Sequence, residues 1–313
     1  MSDVRIVILN YNGASLLKEC LPSIVEASQA SHFSCVVTVL DNQSQDQSEH
    51  VIQSLFPMVE WVKSPKNMVY CSFNKYFKNI SESYVIILNN DIKVDSKFID
   101  PLVDCLNQDS LCFMAAAQSK HPETGVYEGS LSKMEMRHGL IWGTSLFPGY
   151  ENKIDKRHLT MQAGYGAFRR EMILELGGFD EIYLPGTVED TDLCFRAYRR
   201  GWKAFYCPES VVYHYGQASF KKVFGFSKIR RINRRNLYLF VWKNIRDPFL
   251  LVEHLFFIPL HILKYIFKGE WDFLFGLIDA TFCFPKALKR RFETRQEHSF
   301  LTDREIFAYS GSI

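Results

Sequence analysis

Short β-branched runs alternate with helix-spaced segments through the first third of this chain, and that alternation constrains its fold more than any other feature. Residues 4–9, 35–40, 59–62 and 84–88 read as strands. Residues 15–27, 47–56 and 73–79 read as helices, the first with Leu16, Leu17, Cys20, Leu21, Ile24 and Val25 at helical spacing. A βαβα order predicts an α/β fold: a Rossmann-like, mostly parallel sheet with helices on both faces. Ligands of such sheets bind beyond the carboxyl ends of the strands. Three of those ends are polar here: Asn10-Tyr11-Asn12, Asp41-Asn42 and Asn89-Asn90-Asp91.

The second half reads differently. Residues 120–160 have weak periodicity and are expected to form strands and loops over the site. A short helix over 172–176 stops at Gly177-Gly178, and a longer one over 189–200 stops at Gly201. Short strands are expected at 204–207 and 211–214, and helices beyond about 226. We therefore expect one large α/β unit over 1–225 and an amphipathic helical region over 226–313. A hydrophobic content of 47% excludes a disordered chain. The eight cysteines form no C-x-x-C pair, which predicts small buried hydrophobes in a reducing compartment. The amino terminus runs into a strand almost at once, unlike a signal peptide, so a cytoplasmic location is expected.

The net charge is +2, but residues 210–246 contain no acid while carrying, among others, Lys221, Lys222, Lys228, Arg230, Arg231, Arg234, Arg235 and Lys243. Such an excess points to an anionic partner: a membrane surface, a phosphate or a nucleic acid. Residues 249–267 are apolar but contain Glu253, His254, His261 and Lys264, which argues against a spanning helix. Residues 274–284 are apolar and lead into Lys286, Lys289, Arg290 and Arg291. Apolar helices beside basic clusters suit the surface of a bilayer. The alternative is that they pack on the domain or form a homo-oligomer contact.

Three features can carry chemistry. Asn89-Asn90-Asp91 follows a buried strand, and a carboxylate there suits a hard divalent ion, although Asn-Asn-Asp is also an ordinary turn sequence. Glu189-Asp190-Thr191-Asp192 opens a helix, where acids can act as a base or simply complement the helix dipole. His214 ends an apolar strand and is either a satisfied structural residue or a ligand for a metal or phosphate.

In order and context these segments resemble family 2 glycosyltransferases with the GT-A fold, in particular the rhamnosyltransferase-like branch of bacterial surface polysaccharide synthesis, which includes O-antigen. The resemblance covers about residues 4–243. Asn10-Tyr11-Asn12-Gly13 looks like the family's nucleoside loop, and Asp41-Asn42-Gln43-Ser44 is similar to its Asp-Asn-x-Ser segment. Asn89-Asn90-Asp91 stands where the family has Asp-x-Asp. Gly177-Gly178-Phe179-Asp180-Glu181, then Glu189-Asp190-Thr191-Asp192-Leu193 with Arg196, resembles its Gly-Gly-Phe-Asp-Glu and Glu-Asp-x-Asp-Leu signature. His214 with Gly216 and Ser219 matches a His-x-x-x-x-Ser tail. The loop from Asn67 to Asn74 departs from the family in having Val69 where glycine is usual.

The resemblance implies an inverting sugar transfer from a nucleotide-sugar donor, dTDP-rhamnose or a UDP-hexose, with Mg²⁺ or Mn²⁺. Asp190 would be the base, with Glu189 beside it. Asp91 and His214 would ligate the metal. Asn10, Tyr11, Asn12, Asp41, Asn67, Asn74, Asn89 and Asn90 would line the donor site. The acceptor would be a glycan or a polyprenyl-diphosphate-linked glycan, its diphosphate met by Arg230, Arg231, Arg234 and Arg235. The resemblance implies a peripheral position on the inner face of the bacterial cytoplasmic membrane. A dinucleotide oxidoreductase is disfavoured, because Asn10-Tyr11-Asn12-Gly13-Ala14-Ser15 is not G-x-G-x-x-G. A nucleic-acid partner is not expected, because the acidic site would repel it. A catalytically silent member acting as a nucleotide-sugar-binding or assembly scaffold is the remaining alternative.

Overall fold

The structure, a computed structural model, describes residues 3–162, 164–215, 218–295 and 300–311. The amino-terminal half runs β1 (Val4–Asn10), α1 (Ala14–Ala30), β2 (Cys35–Asp41), α2 (Ser48–Leu55), β3 (Glu60–Lys63), α3 (Ser72–Tyr76) and β4 (Tyr84–Asn89). Next come β5 (Ile92–Val94), α4 (Ile99–Gln108), β6 (Cys112–Lys120), β7 (Tyr127–Gly129), β8 (Lys133–Arg137) and β9 (Leu140–Thr144). The chain continues through β10 (His158–Leu159), β11 (Gly166–Arg169), α5 (Arg170–Glu175), α6 (Glu189–Arg199) and β12 (Lys203–His214). It closes with α7 (Ala218–Asn244), α8 (Pro248–Lys268), α9 (Trp271–Arg295) and α10 (Asp303–Gly311).

The main sheet follows the order β10-β12-β6-β11-β4-β1-β2-β3. β1 lies parallel to both β2 and β4, and β3 lies parallel to β2. That is the arrangement expected when helices cross over between consecutive strands. Successive side chains of β4 point to opposite faces, so Val85 and Ile87 enter one core while Ile86 and Leu88 enter the other. The second core is closed by Leu17, Leu21 and Ile24 of α1 and by Leu102 and Leu106 of α4. Burial on both faces explains why β4 reads as a continuous apolar run rather than an alternating one.

The sequence reading contained no strand at 112–120 or 166–169 and no helix at 99–108. All three exist, and β11 enters between β4 and β6 antiparallel to both. A four-residue strand buried on both faces gives no periodic signal of its own. The two short strands expected at 204–207 and 211–214 are one strand, β12, with a register shift between Cys207 and Val211. Pro208 lies in that gap and has no N–H to give to a ladder.

The carboxy-terminal helices do not stand apart. Tyr238, Leu239, Phe240 and Val241 of α7, Ile245 just beyond it, and Leu277, Ala280 and Ala287 of α9 join the same core as Leu193 and Phe195 of α6. Within α7, Gly225 breaks the helical path at φ 71° and ψ 161°. α8 is, by length and composition alone, the one helix among the described residues apolar enough to cross a membrane. Six of the eight cysteines are buried and all eight are unpaired.

Candidate active site

The ends of three neighbouring parallel strands are joined by side-chain amides. Asn10, at the end of β1, donates from Nδ2 to Asp41 Oδ1 at the end of β2 (3.1 Å) and to Ser44 Oγ (3.1 Å). Its Oδ1 accepts from Asn90 Nδ2, beyond β4, at 2.8 Å. Asp41 in turn accepts from the Ser44 backbone N–H (3.0 Å) and hydroxyl (2.5 Å). Buried polar groups need partners, and this relay supplies them across the strand ends. Gly13 has to be glycine here, because a Cβ would lie 2.0 Å from Asn90 Nδ2. Tyr11, half-buried, follows Asn10 at the mouth of this relay.

Next to the relay, Asp91 meets His214. The antiparallel pairing of β5 with β12 sets Ile92 opposite His214, and the Tyr215 N–H donates to the Asp91 carbonyl at 3.2 Å. His214 Nε2 lies 3.6 Å from Asp91 Oδ2, too far for a hydrogen bond. Asp91 Oδ1 is buried and has no partner. An orphaned buried carboxylate oxygen carries a large desolvation cost unless a cation meets it. Carboxylate oxygen and imidazole nitrogen together suit Mn²⁺, and carboxylate with water suits Mg²⁺. The residues therefore fit a divalent ion. No cluster of three ligating side chains exists among the described residues, so a substrate oxygen or water would complete the shell.

Two tyrosines tie this corner to the acidic end of α6. Tyr70 donates to Asn89 Oδ1 at 3.1 Å, and the Tyr165 hydroxyl lies 3.1 Å from His214 Nε2. Burial first, then the charges of Glu189, Asp190 and Asp91, push the Tyr70 phenol well up. Burial, with Asp91 and Asp190 contributing, does the same to Tyr165. Both phenols stay neutral, and both sense Asp91 and Asp190 together.

Glu189 and Asp190 open α6 after a strained turn. Thr187 and Val188 adopt φ values of 69° and 73°, the left-handed region that β-branched residues avoid. Such strain persists only where the surroundings enforce it. Asn236 of α7 does so: its fully buried amide donates to the carbonyls of Tyr183 (2.9 Å), Gly186 (2.7 Å) and Thr187 (2.8 Å). Burial pushes the Glu189 carboxyl up to about 8, with the adjacent Asp190 charge adding to the shift. Burial also raises Asp190, against hydrogen bonds from the Thr191 N–H and hydroxyl. Glu189 Oε2 is a second buried oxygen without a partner. Asp190 and Thr191 line an open cavity of about 220 Å³, together with Ser132, Lys133, Thr144 and Gln162 among others.

Asp192, one turn into the same helix, serves the fold instead. It is fully buried and accepts from Lys243 Nζ (2.7 and 2.9 Å), Arg196 Nε (2.7 Å), Asn244 Nδ2 (2.7 Å) and Tyr183 OH (2.8 Å). Burial would raise its carboxyl, but Lys243 and Arg196 override that and hold it far below the usual range. Lys243 Nζ also reaches Asp180 at 2.7 Å.

Residues 5–177, more than half of the chain, match glycosyl transferase family 2. The chain belongs to that family. Among solved structures this family 2 glycosyltransferase is similar to GalNAc-T7 with UDP, GalNAc and Mn²⁺ (TM-score 0.58, 16% identity, 78% of this chain and 48% of that one). It therefore spans about half the length of GalNAc-T7. It is also similar to residues 1–349 of TarS from S. aureus (TM-score 0.56, 12% identity, 99% of this chain and 87% of that one). A third likeness is to the mannosyltransferase PcManGT from Pyrobaculum calidifontis in complex with GDP-Man and Mn²⁺ (TM-score 0.54, 16% identity, 99% and 86%). Among curated protein sequences none is significantly similar. At these identities the likeness is one of fold: a GT-A fold with a mostly parallel central sheet and a carboxy-terminal helical region.

The structure joins Asn10, Asp41 and Asn90 in one relay at the strand ends, sets Asp91 beside His214, and bonds Asn89 to Tyr70, which lies near Glu189, Asp190 and Asp91. Other expected site residues are engaged elsewhere. Asn74 clasps the backbone of Phe179, donating to its carbonyl and accepting from its N–H, both at 2.8 Å. Asn67 is exposed and accepts from the Val69 N–H at 3.1 Å. Asn12, by contrast, stays with the relay: its N–H donates to Ser44 Oγ at 2.8 Å and its side chain accepts from the Gln45 N–H at 2.7 Å. Val69 adopts φ 48°, so the loop keeps a glycine-like path without glycine.

Each of the four arginines makes a contact within the protein, while Arg230 and Arg231 remain exposed. Arg230 pairs with Asp272 at 2.5 Å, and Arg231 grips Asp279 with two bonds of 2.6 and 2.7 Å. The Arg234 guanidinium lies over the ring of Phe273 at 4.4 Å, and Arg235 donates to the carbonyls of Tyr183 and Leu184. Two acids of α9, Asp272 and Asp279, thus pair with two of the cations of this stretch. Gly216 lies outside the described residues, as do the side chains of Ser219, Lys221 and Lys222.

The sequence alone gives no role in this site to Tyr70, Tyr165, Asn236, Asn244 or Lys243. Lys243 did carry a signal: a lone cation after Leu237-Tyr238-Leu239-Phe240-Val241-Trp242 implies a buried acidic partner. The tyrosines lie in segments without periodicity and carried none.

Proposed function

We propose that this chain is an inverting, divalent-metal-dependent hexosyltransferase, moving a sugar from a nucleoside-diphosphate donor to a hydroxyl of a glycan or lipid-linked acceptor. The observation that carries the reading is the pairing of an orphaned Asp91 oxygen beside His214 with Asp190 at a polar cavity.

In this reading Asp190 takes the proton of the acceptor hydroxyl as that oxygen bonds to the anomeric carbon. The bond from the anomeric carbon to the diphosphate oxygen breaks in the same displacement, so configuration inverts. A base works best when its pKa approaches the operating pH, and burial moves Asp190 in that direction. Burial and the neighbouring Asp190 charge raise Glu189 to about 8, so it adds little negative charge beside the base. Asp91 and His214 would hold Mg²⁺ or Mn²⁺, which would offset charge on the departing diphosphate. The nucleotide and Mn²⁺ named in the GalNAc-T7 and PcManGT structures support this reading by analogy.

Within that class we favour dTDP-rhamnose or a UDP-hexose as donor and surface polysaccharide synthesis, including O-antigen, as the setting. The test is a nucleotide-sugar panel with Mn²⁺, read by thermal shift and then by release of nucleoside diphosphate. One donor should both stabilise the chain and be consumed. Stabilisation without consumption on any acceptor would instead support a nucleotide-sugar-binding scaffold.

A further inference from the structure

Helix α8 is built inside out for a water-soluble surface. Its protein-facing side holds polar rings: His254 is bonded to Trp242 Nε1 (2.8 Å) and to the Gly139 carbonyl (2.6 Å), and His261 to the Tyr238 hydroxyl (2.9 Å). Burial lowers both imidazoles, His261 to about 4, so they sit there uncharged. Its outer side is apolar. Phe249, Val252, Phe256, Leu260, Leu263 and Phe267 are exposed and recur at three- and four-residue steps, which places them along one stripe. Phe267 is 85% exposed. Helix α9 continues the pattern with Trp271, Phe275, Ile278 and Phe282, the last 80% exposed.

An apolar face of this extent costs free energy in water and marks an interaction surface. Its flanks are cationic: Lys264, Lys268 and Lys286 are exposed and join no ion pair among the described residues, and Lys289 is 78% exposed. A stripe of large apolar side chains bordered by lysines matches the acyl boundary and anionic headgroups of a bilayer. The inner side of α8 is bonded to α7 through His254 and His261 and to the β8–β9 turn through Glu253 and His254, which ties it to the protein surface.

That turn gives the surface a consequence. Gly139, at the tip of the β8–β9 hairpin, donates its N–H to Glu253 Oε1 (3.1 Å) and offers its carbonyl to His254. A Cβ on Gly139 would lie 2.8 Å from the His254 Cα, so only glycine lets the hairpin seat on α8. The base of the same hairpin, at Lys133 and Thr144, lines the cavity that holds Asp190.

We infer that the outer face of α8 and α9 docks in the interfacial layer of an anionic lipid bilayer, and that the β8–β9 hairpin fixes the Asp190 cavity relative to that layer. If the transferase reading holds, the acceptor is then a hydroxyl-bearing group presented at a lipid surface. Docking itself does not depend on that reading.

The test is flotation of the full chain with vesicles of phosphatidylcholine alone or with phosphatidylglycerol. The wild type should float with the anionic vesicles and weakly with the neutral ones. Phe256→Glu, Phe267→Glu and Phe282→Glu, each exposed and outside the catalytic site, should each lower the bound fraction about tenfold, with an unchanged circular dichroism spectrum and thermal midpoint. Failure to float at low salt would overturn docking. So would a concentration-dependent dimer, seen by light scattering without lipid and abolished by the same substitutions, because the face would then be a self-contact. Donor-induced thermal shift, measured in parallel, reports separately on the transferase reading.

Discussion

His214 Nε2 and Asp91 Oδ2 face each other at 3.6 Å while the second Asp91 oxygen stays buried and unpartnered. The pair is held open by the backbone: β12 sets His214 opposite Ile92 of β5, and the Tyr215 N–H fixes the Asp91 carbonyl. Asp91→Ala should remove Mn²⁺-dependent donor binding. Calorimetry with and without Mn²⁺ checks this, and an unchanged affinity in the variant would remove Asp91 from the metal site. His214→Ala should weaken the same binding less, because the carboxylate remains.

Asp190→Asn should lower transfer by about 10²–10⁴-fold, the range for loss of a general base, with donor binding retained. Initial rates against donor and acceptor concentration separate the two effects. Full turnover by the variant would assign the base elsewhere.

The raised Glu189 carboxyl has a consequence for stability. Between its ordinary 4.5 and about 8, the folded chain keeps a proton that the unfolded chain releases. The stability linked to Glu189 is therefore present at low pH and lost as pH rises through that window. Glu189→Gln removes the titration, so the melting temperature of the variant relative to wild type should rise steadily from pH 5 to 8. A constant difference across that range would show that Glu189 titrates normally.

Lys243 joins α7 to Asp180 and Asp192 at 2.7 Å each. Removing one partner of a buried ionic cluster leaves charge uncompensated, so Lys243→Met should cost about 3–5 kcal/mol in urea unfolding. The double variant with Asp192→Asn should recover part of that loss. Asp192 itself contributes stability that is present above the ordinary aspartate range and is lost only in strong acid, because its folded carboxyl is held far down.

Asn236→Ala should act on turnover rather than on donor affinity. Its amide holds the Tyr183, Gly186 and Thr187 carbonyls that carry the chain into Val188 and Glu189. Orphaning them frees the turn before the base, so kcat should fall while the donor Kd stays within about twofold, a change near 0.4 kcal/mol. A loss confined to thermal stability would mark Asn236 as merely structural.

Local order was written in the sequence by itself. Helical spacing fixed α1 and α2, and short β-branched apolar runs between them fixed β1, β2 and β4. The polar strand ends at Asn10, Asp41 and Asn89–Asp91 followed from the same pattern, since a parallel sheet aligns them. The tertiary structure decided what pattern cannot encode. Asn74 is placed by a clasp on the Phe179 backbone, 105 residues away. Asp190 and Asp192 look alike in one helical turn, yet one meets a cavity and the other meets Lys243. The basic run at Arg230 and Arg231 is neutralised by Asp272 and Asp279, and the amphipathic α8 turns its histidines inward and its phenylalanines outward. Periodicity tells that a helix has two faces, but which face is covered depends on what packs against it, and that depends on contacts between residues far apart in the chain.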